Sequence, residues 1–207
     1  MFRTLTVARE FGSGGALVAQ TISERLGWRL LDKALIEAVA GAARVDPELA
    51  RRYDERIDSW AHRVGRRGLW RGAFEAVPAL NGTEVFDCET MTALARSLIE
   101  EAYAAGRCVI VGRAGQCVLQ ERPDAFHVFV YAPWADRVAR VRQRVPEGTD
   151  VESLIRDTDR QRAEHIRMHF GCDWADPHLY HLLISSELGE DATASIIINA
   201  LRGGATG

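Results

Sequence analysis

At 207 residues, 47% hydrophobic and 27% charged, the chain suits one soluble α/β domain with a sizeable core and room for a helical insertion. Its formal net charge of -3 excludes the strongly basic balance that drives indiscriminate binding to nucleic acid or acidic membranes. Lys33 is the only lysine, so charged contacts to a phosphate must come mainly from arginine.

In chain order, a buried strand is expected at residues 5–8, followed by Gly12-Ser13-Gly14-Gly15. A helix over 16–26 places Leu17, Ile22 and Leu26 on one face and stops at Gly27. A second strand, 29–31, ends on Asp32, and a helix over 33–43 follows. Residues 46–87 are rich in Arg and Trp, carry Gly65, Gly68, Gly72 and Gly82, and show no strand run of comparable quality; they read as a helical insertion covering the site. A helix over 90–105 turns Leu94, Leu98 and Ile99 inward and ends at Gly106. Strands at 108–112, 127–132 and 182–185 alternate with helices at 135–145, 150–170 and 192–201, and the 203–207 tail is expected to be disordered. Strands alternating with helices predict a doubly wound parallel sheet with right-handed crossovers, in one domain over 1–207. Residues 150–175 are expected to be its lid region.

Cys88, Cys108, Cys117 and Cys172 make no C-x-x-C pair, which reads as a reduced protein rather than a disulfide scaffold. With no apolar signal segment and no run of 18 apolar residues, the expected location is the cytoplasm.

A glycine-rich turn between strand and helix lets backbone N–H groups converge on an anion, backed by the positive end of the helix. Gly12, Ser13, Gly14, Gly15 and Ala16 are therefore the candidate phosphate cradle. The full G-x-x-x-x-G-K-[ST] pattern is not met: Gly15 stands at the lysine position, and Leu17 lies where a magnesium-binding hydroxyl is expected. Arg9 either turns toward a phosphate or is a solvated loop residue; Glu10 either holds the loop or contacts metal-bound water. Arg113 ends a buried strand, at the crevice where open α/β sheets bind ligands; it either forks onto phosphate or carboxylate, or pairs with Asp32. On the 150–170 helix, Asp159 and Arg162 are spaced to pair at i,i+3, and Arg160 and Arg167 lie two turns apart. Spacing alone favours a solvated, salt-bridged face; the other reading is a closing lid whose arginines neutralise a transferring phosphoryl group. His165 and His169, with Cys172, Asp173, His178 and His181 downstream, meet no recognised metal spacing, and no metal site is expected.

Together, Arg9-Glu10-Phe11-Gly12-Ser13-Gly14-Gly15, Leu31-Asp32-Lys33, Val109-Ile110-Val111-Gly112-Arg113 and Phe129-Val130-Tyr131-Ala132-Pro133 resemble the cytidylate kinase-like family. So do Asp159-x-x-Arg162 and Gly171-x-Asp173-Trp174-x-Asp176-Pro177. The resemblance implies the P-loop nucleoside monophosphate kinase fold, with a five-stranded sheet in the order 2-3-1-4-5. It implies ATP with Mg²⁺ over Gly12–Gly15 and a CMP-like nucleotide acceptor between strand 2, strand 3 and the insertion. Arg113 would then hold the acceptor phosphate, Arg160 and Arg162 would embrace the phosphates, and Asp32 would sit on the acceptor side. This chain differs from true cytidylate kinases at Gly15, Leu17 and Ala114, and at Lys33-Ala34-Leu35-Ile36 after strand 2. Two further readings stay open: a nucleotide-sensing module without catalysis, and a kinase for a non-nucleotide acceptor. The insertion serves as a lid or as an interface, a homodimer included.

Overall fold

The computed structural model describes residues 1–32 and 85–203. The expected helix at 33–43 and nearly all of the 46–87 insertion, with Trp60 and Trp70, lie outside the described residues, as do 204–207. The chain runs β1 (Thr4–Arg9), α1 (Gly15–Leu26), β2 (Arg29–Leu31), α2 (Val85–Ala105), β3 (Cys108–Val111) and α3 (Gly115–Val118). It continues through β4 (Ala125–Tyr131), α4 (Trp134–Arg142), α5 (Val151–Phe170), β5 (Leu182–Ser185) and α6 (Glu190–Gly203).

The five strands form one parallel sheet in the order β2-β3-β1-β4-β5, as expected. β1 is central and buried throughout, bonded to β3 on one side and β4 on the other. It is longer than the hydrophobic run predicts, because Thr4 and Arg9 also pair in register with Ala125 and Val130. Helix α2 begins at Val85 and so takes in residues 85–87, the end of the expected insertion. Gly203 is the last residue of α6 rather than the first of a loose tail.

Alternation along the strands sends side chains to two covered faces. On one face Leu5, Val7, Val109, Val111, Val128 and Val130 pack with Val18 and Ile22 of α1 and Ala194, Ile197 and Leu201 of α6. On the other, Cys108, Ile110 and Ala125 meet Ile99 and Ala102 of α2 and Leu119 after α3. A further cluster, Phe11, Val141, Val151 and Ile155, seats α4 and α5 beside the segment that follows β1.

The second face carries a buried polar residue in the central row. His127 is 2% exposed. Its Nδ1 lies 2.7 Å from Thr6 Oγ1 and its Nε2 lies 3.2 Å from the Leu119 carbonyl. A carbonyl only accepts, so Nε2 carries the proton and Nδ1 accepts from the Thr6 hydroxyl. Burial, followed by the neighbouring His181, pushes the His127 pKa down to about 4. A histidine lowered in the folded state adds stability above its unfolded pKa that is lost as pH falls toward the folded one. Acidification from about pH 8 to pH 5 is thus expected to cost about 2 kcal/mol at His127. Urea denaturation at the two pH values measures it, and His127→Gln should remove that share of the acid sensitivity.

Candidate functional site

The loop joining β1 to α1 is shaped by two glycines in the left-handed region, Gly12 (φ 80) and Gly14 (φ 77). A Cβ on Gly12 would lie 2.8 Å from Val141 Cγ2, so the loop runs directly against α4. Gly14 caps α1 from its N-terminal side, and a Cβ there would meet only Arg140 Nη1, at 3.9 Å. Ser13 is fully buried: its N–H donates to the Glu10 carbonyl (3.2 Å), and its hydroxyl oxygen accepts from the Gly15 N–H (3.3 Å). The Ser13 carbonyl accepts from Arg140 Nη1 (3.0 Å) and from the Ser186 hydroxyl (2.5 Å). With its carbonyls held from behind, this strand–glycine–helix loop has the shape of the candidate anion cradle expected from the sequence.

What holds the cradle is a buried charge network that the sequence reading missed. Arg137 of α4 is 6% exposed. Its Nε donates to the Phe11 carbonyl (2.7 Å), Nη2 forms a short ion pair with Asp159 Oδ2, and Nη1 lies 3.2 Å from Glu10 Oε1. The other Glu10 oxygen accepts from the Ala132 N–H (3.1 Å), so Glu10 is a loop-holding residue. Asp159 also accepts from the Phe11 N–H (2.8 Å) and pairs with Arg162 Nη1 (3.4 Å), the i,i+3 pair expected from spacing. Burial pushes the Asp159 carboxyl up, while Arg137, Arg162 and the Phe11 N–H pull against it. Arg162 Nη1 donates further to the Arg9 carbonyl (3.0 Å), and its guanidinium lies over the Phe11 ring. Two cations and two carboxylates thus lock α4, α5 and the end of β4 onto one loop. In the sequence Arg137 is one of three arginines on an amphipathic helix, Arg137, Arg140 and Arg142, and helical position alone does not distinguish it from a solvated residue.

Arg160 is not part of this cluster. It is 66% exposed at its side chain and pairs with Asp157 (2.7 Å) on the outer face of α5, the solvated-face reading of that helix. Glu152 and Arg156 pair likewise (3.0 Å).

Across the sheet from the glycine loop, β3 ends in a second unusual turn. Gly112, Arg113 and Ala114 are all left-handed, with φ of 72, 55 and 56. For the two non-glycine residues this conformation costs roughly 1–2 kcal/mol each. The turn is tied down by the Gly112 N–H on the Val7 carbonyl (3.0 Å) and by the buried Ala114 side chain against Ile166 and Trp174. Since β1 and β3 are neighbours, this turn and the glycine loop open on the same C-terminal edge. Arg9, the last residue of β1, joins them. It is buried, and a Cβ on Gly112 would collide with its Nη1, so the guanidinium lies over that glycine. Asp32, half-buried one step past β2, stands on the far side of the turn.

The stem of Arg9 also accounts for the missing lysine. A Cβ on Gly15 would lie 2.7 Å from Arg9 Cβ and 3.2 Å from Val130 Cβ. No side chain leaves position 15 without displacing one of them. Arg113 reaches toward α5, where its charge, after burial and His169, lowers the His165 pKa to about 4. The His165 and His169 rings stand 4.6 Å apart. Among the described residues, no group of three His, Cys, Asp or Glu residues is placed to hold a metal ion.

Two outcomes follow from this packing. Arg137→Met leaves the half-buried Glu10 and Asp159 without their shared cation and should cost about 1–3 kcal/mol in urea denaturation, whereas adding Asp159→Leu should recover part of that loss. Gly15→Lys, which restores the residue type of the phosphate-loop motif, should destabilise by about 1–3 kcal/mol through overpacking. It should also fail to tighten nucleotide binding, as measured by calorimetry.

Residues 4–188 match the model of the cytidylate kinase-like family. No curated protein matches the chain. Among solved structures, an uncharacterized protein from Eubacterium ventriosum is similar at 20% identity and a TM-score of 0.66, covering 97% of this chain and 98% of that one. Shikimate kinase from Acinetobacter baumannii aligns at 13% identity and a TM-score of 0.55, over 100% and 97% of the two chains. The enzyme from Bacteroides thetaiotaomicron aligns at 12% and 0.53, over 97% and 98%. At these identities the structural likeness is one of fold, the P-loop kinase type. With the family match spanning nearly the whole chain, from the first strand to the turn after the fifth, the chain belongs to the cytidylate kinase-like family.

Proposed function

We propose that this chain transfers the terminal phosphoryl group of ATP to a nucleoside monophosphate such as CMP or dCMP. Family membership supports a phosphotransferase. The observation that carries the reading is the placement of two specialised turns on adjacent strands: the glycine cradle after β1 and the strained arginine turn after β3. The space at Gly14, where a Cβ would meet only Arg140 Nη1 at 3.9 Å, supports phosphate binding at the cradle.

In this reading Gly12, Ser13, Gly14, Gly15 and Ala16 hold the donor phosphates, with first-turn N–H groups of α1 directed at their oxygens. Arg9 and Arg140 supply the positive charge that a loop lysine gives elsewhere. Arg113 forks onto the acceptor phosphate, and Asp32 orients the acceptor. An acceptor oxygen attacks the γ-phosphorus as the bond to the ADP oxygen breaks; positioning and charge neutralisation suffice for this in-line step. Mg²⁺ bound to the nucleotide would neutralise charge on the phosphate oxygens. Arg162, with Asp159, fixes the lid over the loop, and Arg160 joins the phosphates only if α5 turns its exposed face inward.

A second reading has its own support. Position 15 excludes a lysine sterically, which suits a nucleotide-sensing module that binds without transferring. ATP-dependent phosphorylation of CMP, dCMP and UMP with Mg²⁺ separates the two. Turnover is expected, and Arg113→Ala should lower it at least about 100-fold, as for loss of a charge-stabilising group. ATP binding without turnover on any of the three selects the sensing module or a non-nucleotide acceptor.

A further inference from the structure

Helix α3 and the segment following α5 meet beside the arginine turn, and each brings a cysteine to the contact. Cys117 lies in α3, just beyond Arg113 and Ala114. Cys172 follows Gly171, the left-handed residue (φ 67) that ends α5. Both are half-buried, and neither is in a disulfide. They pack against the same two apolar clusters, one built on Ala8, Leu179 and Tyr180, the other on Ala114, Ile166 and Trp174. The two side chains thus share one set of apolar neighbours, and Cys172 Sγ lies 3.5 Å from the Phe170 carbonyl. Cys108, by contrast, is fully buried in the core, its thiol directed at Thr4 Oγ1 and the Ala102 carbonyl.

We propose that Cys117 and Cys172 are an oxidisable pair whose disulfide staples the C-terminal end of α5 to the arginine turn after β3. The oxidant class is a peroxide. Burial, and then the neighbouring Cys172, pushes the Cys117 thiol up, so Cys117 is the poorer first nucleophile and the proposed order starts at Cys172. The Cys172 sulfur attacks one peroxide oxygen, the O–O bond breaks, and a sulfenic acid and one water result. Cys117 sulfur then attacks Cys172 sulfur; the S–S bond forms, the S–O bond breaks, and the thiol proton leaves with the hydroxide as a second water. Both sulfurs are oxidised, and one hydrogen peroxide is reduced to two waters.

The staple would act on a helix already fastened near its middle. Asp159 and Arg162 hold α5 to the glycine loop, and the disulfide would hold its far end to the turn bearing Arg113. An α5 fixed at both places cannot swing as a lid. That consequence rests on the function proposed above; the disulfide itself does not.

The test uses the full chain treated with hydrogen peroxide, alkylated and digested with trypsin without reductant. The peptides containing Cys117 and Cys172 (residues 114–137 and 168–202) should elute as one cross-linked species and separate after dithiothreitol. Free-thiol titration should fall by half from the four cysteines of the reduced chain. Cys117→Ser and Cys172→Ser should each abolish the species and Cys108→Ser should not; unchanged melting of the reduced variants shows that they fold. Separate alkylated peptides, Cys172 driven to sulfinic acid with Cys117 still reduced, or a cross-link surviving Cys117→Ser would each overturn the pairing. With the cross-link present, phosphoryl transfer should drop at least about tenfold and return on reduction. A cross-linked protein that is inactive in both states counts against the function and leaves the pairing standing.

Discussion

The Arg137 guanidinium is the constraint on which the rest of the site depends. It lies almost wholly out of water, where an unpaired charge is far too costly to keep, so its partners must come to it. They come from two places: the Phe11 carbonyl and Glu10 in the loop after β1, and Asp159 in α5. Breaking any one of these contacts would leave charge buried without compensation. The network therefore fixes the angle of α4 and α5 over the sheet and the path of the glycine loop together. The apolar cluster of Phe11, Val141, Val151 and Ile155 joins the same three segments.

Space, rather than charge alone, decides the chemistry of the loop. In the usual phosphate loop a lysine leaves the first turn of the helix and reaches the phosphates. Here that volume is filled by the stem of Arg9 and by Val130. A different cation, Arg9, stands at the last residue of the loop's strand, and Arg140 braces the same loop through its carbonyls. The two glycines at either end of this arrangement have the same cause. Gly15 makes room for the Arg9 stem, and Gly112 makes room for its guanidinium.

The second turn shows strain held in place by packing. Two non-glycine residues in the left-handed region persist because Ala114 is buried against Ile166 and Trp174 and because the turn is bonded to β1. Those apolar neighbours belong to α5 and the segment after it, so the turn carrying Arg113 and the helix carrying Asp159 and Arg162 share a wall. Cys117 and Cys172 sit in that wall, and changes there bear on both halves of the crevice.

The sequence by itself determined the sheet, its strand order through family resemblance, the glycine loop and the Asp159–Arg162 pair. Each is local or nearly so: short apolar runs between helical segments, a glycine cluster at a strand–helix junction, or two residues one turn apart. Strand ends were off by one or two residues because pairing across the sheet, as between Thr4 and Ala125, extends a strand past its apolar run. Tertiary structure alone decided which arginines matter. Arg137, Arg160 and Arg162 all lie on polar faces of helices, and only the position of α4 and α5 over the loop buries Arg137, half-buries Arg162 and leaves Arg160 in water. It also decided that Gly15 is a steric necessity and that Cys117 meets Cys172. These contacts join residues far apart in the chain, and no pattern along the chain records a distance through space.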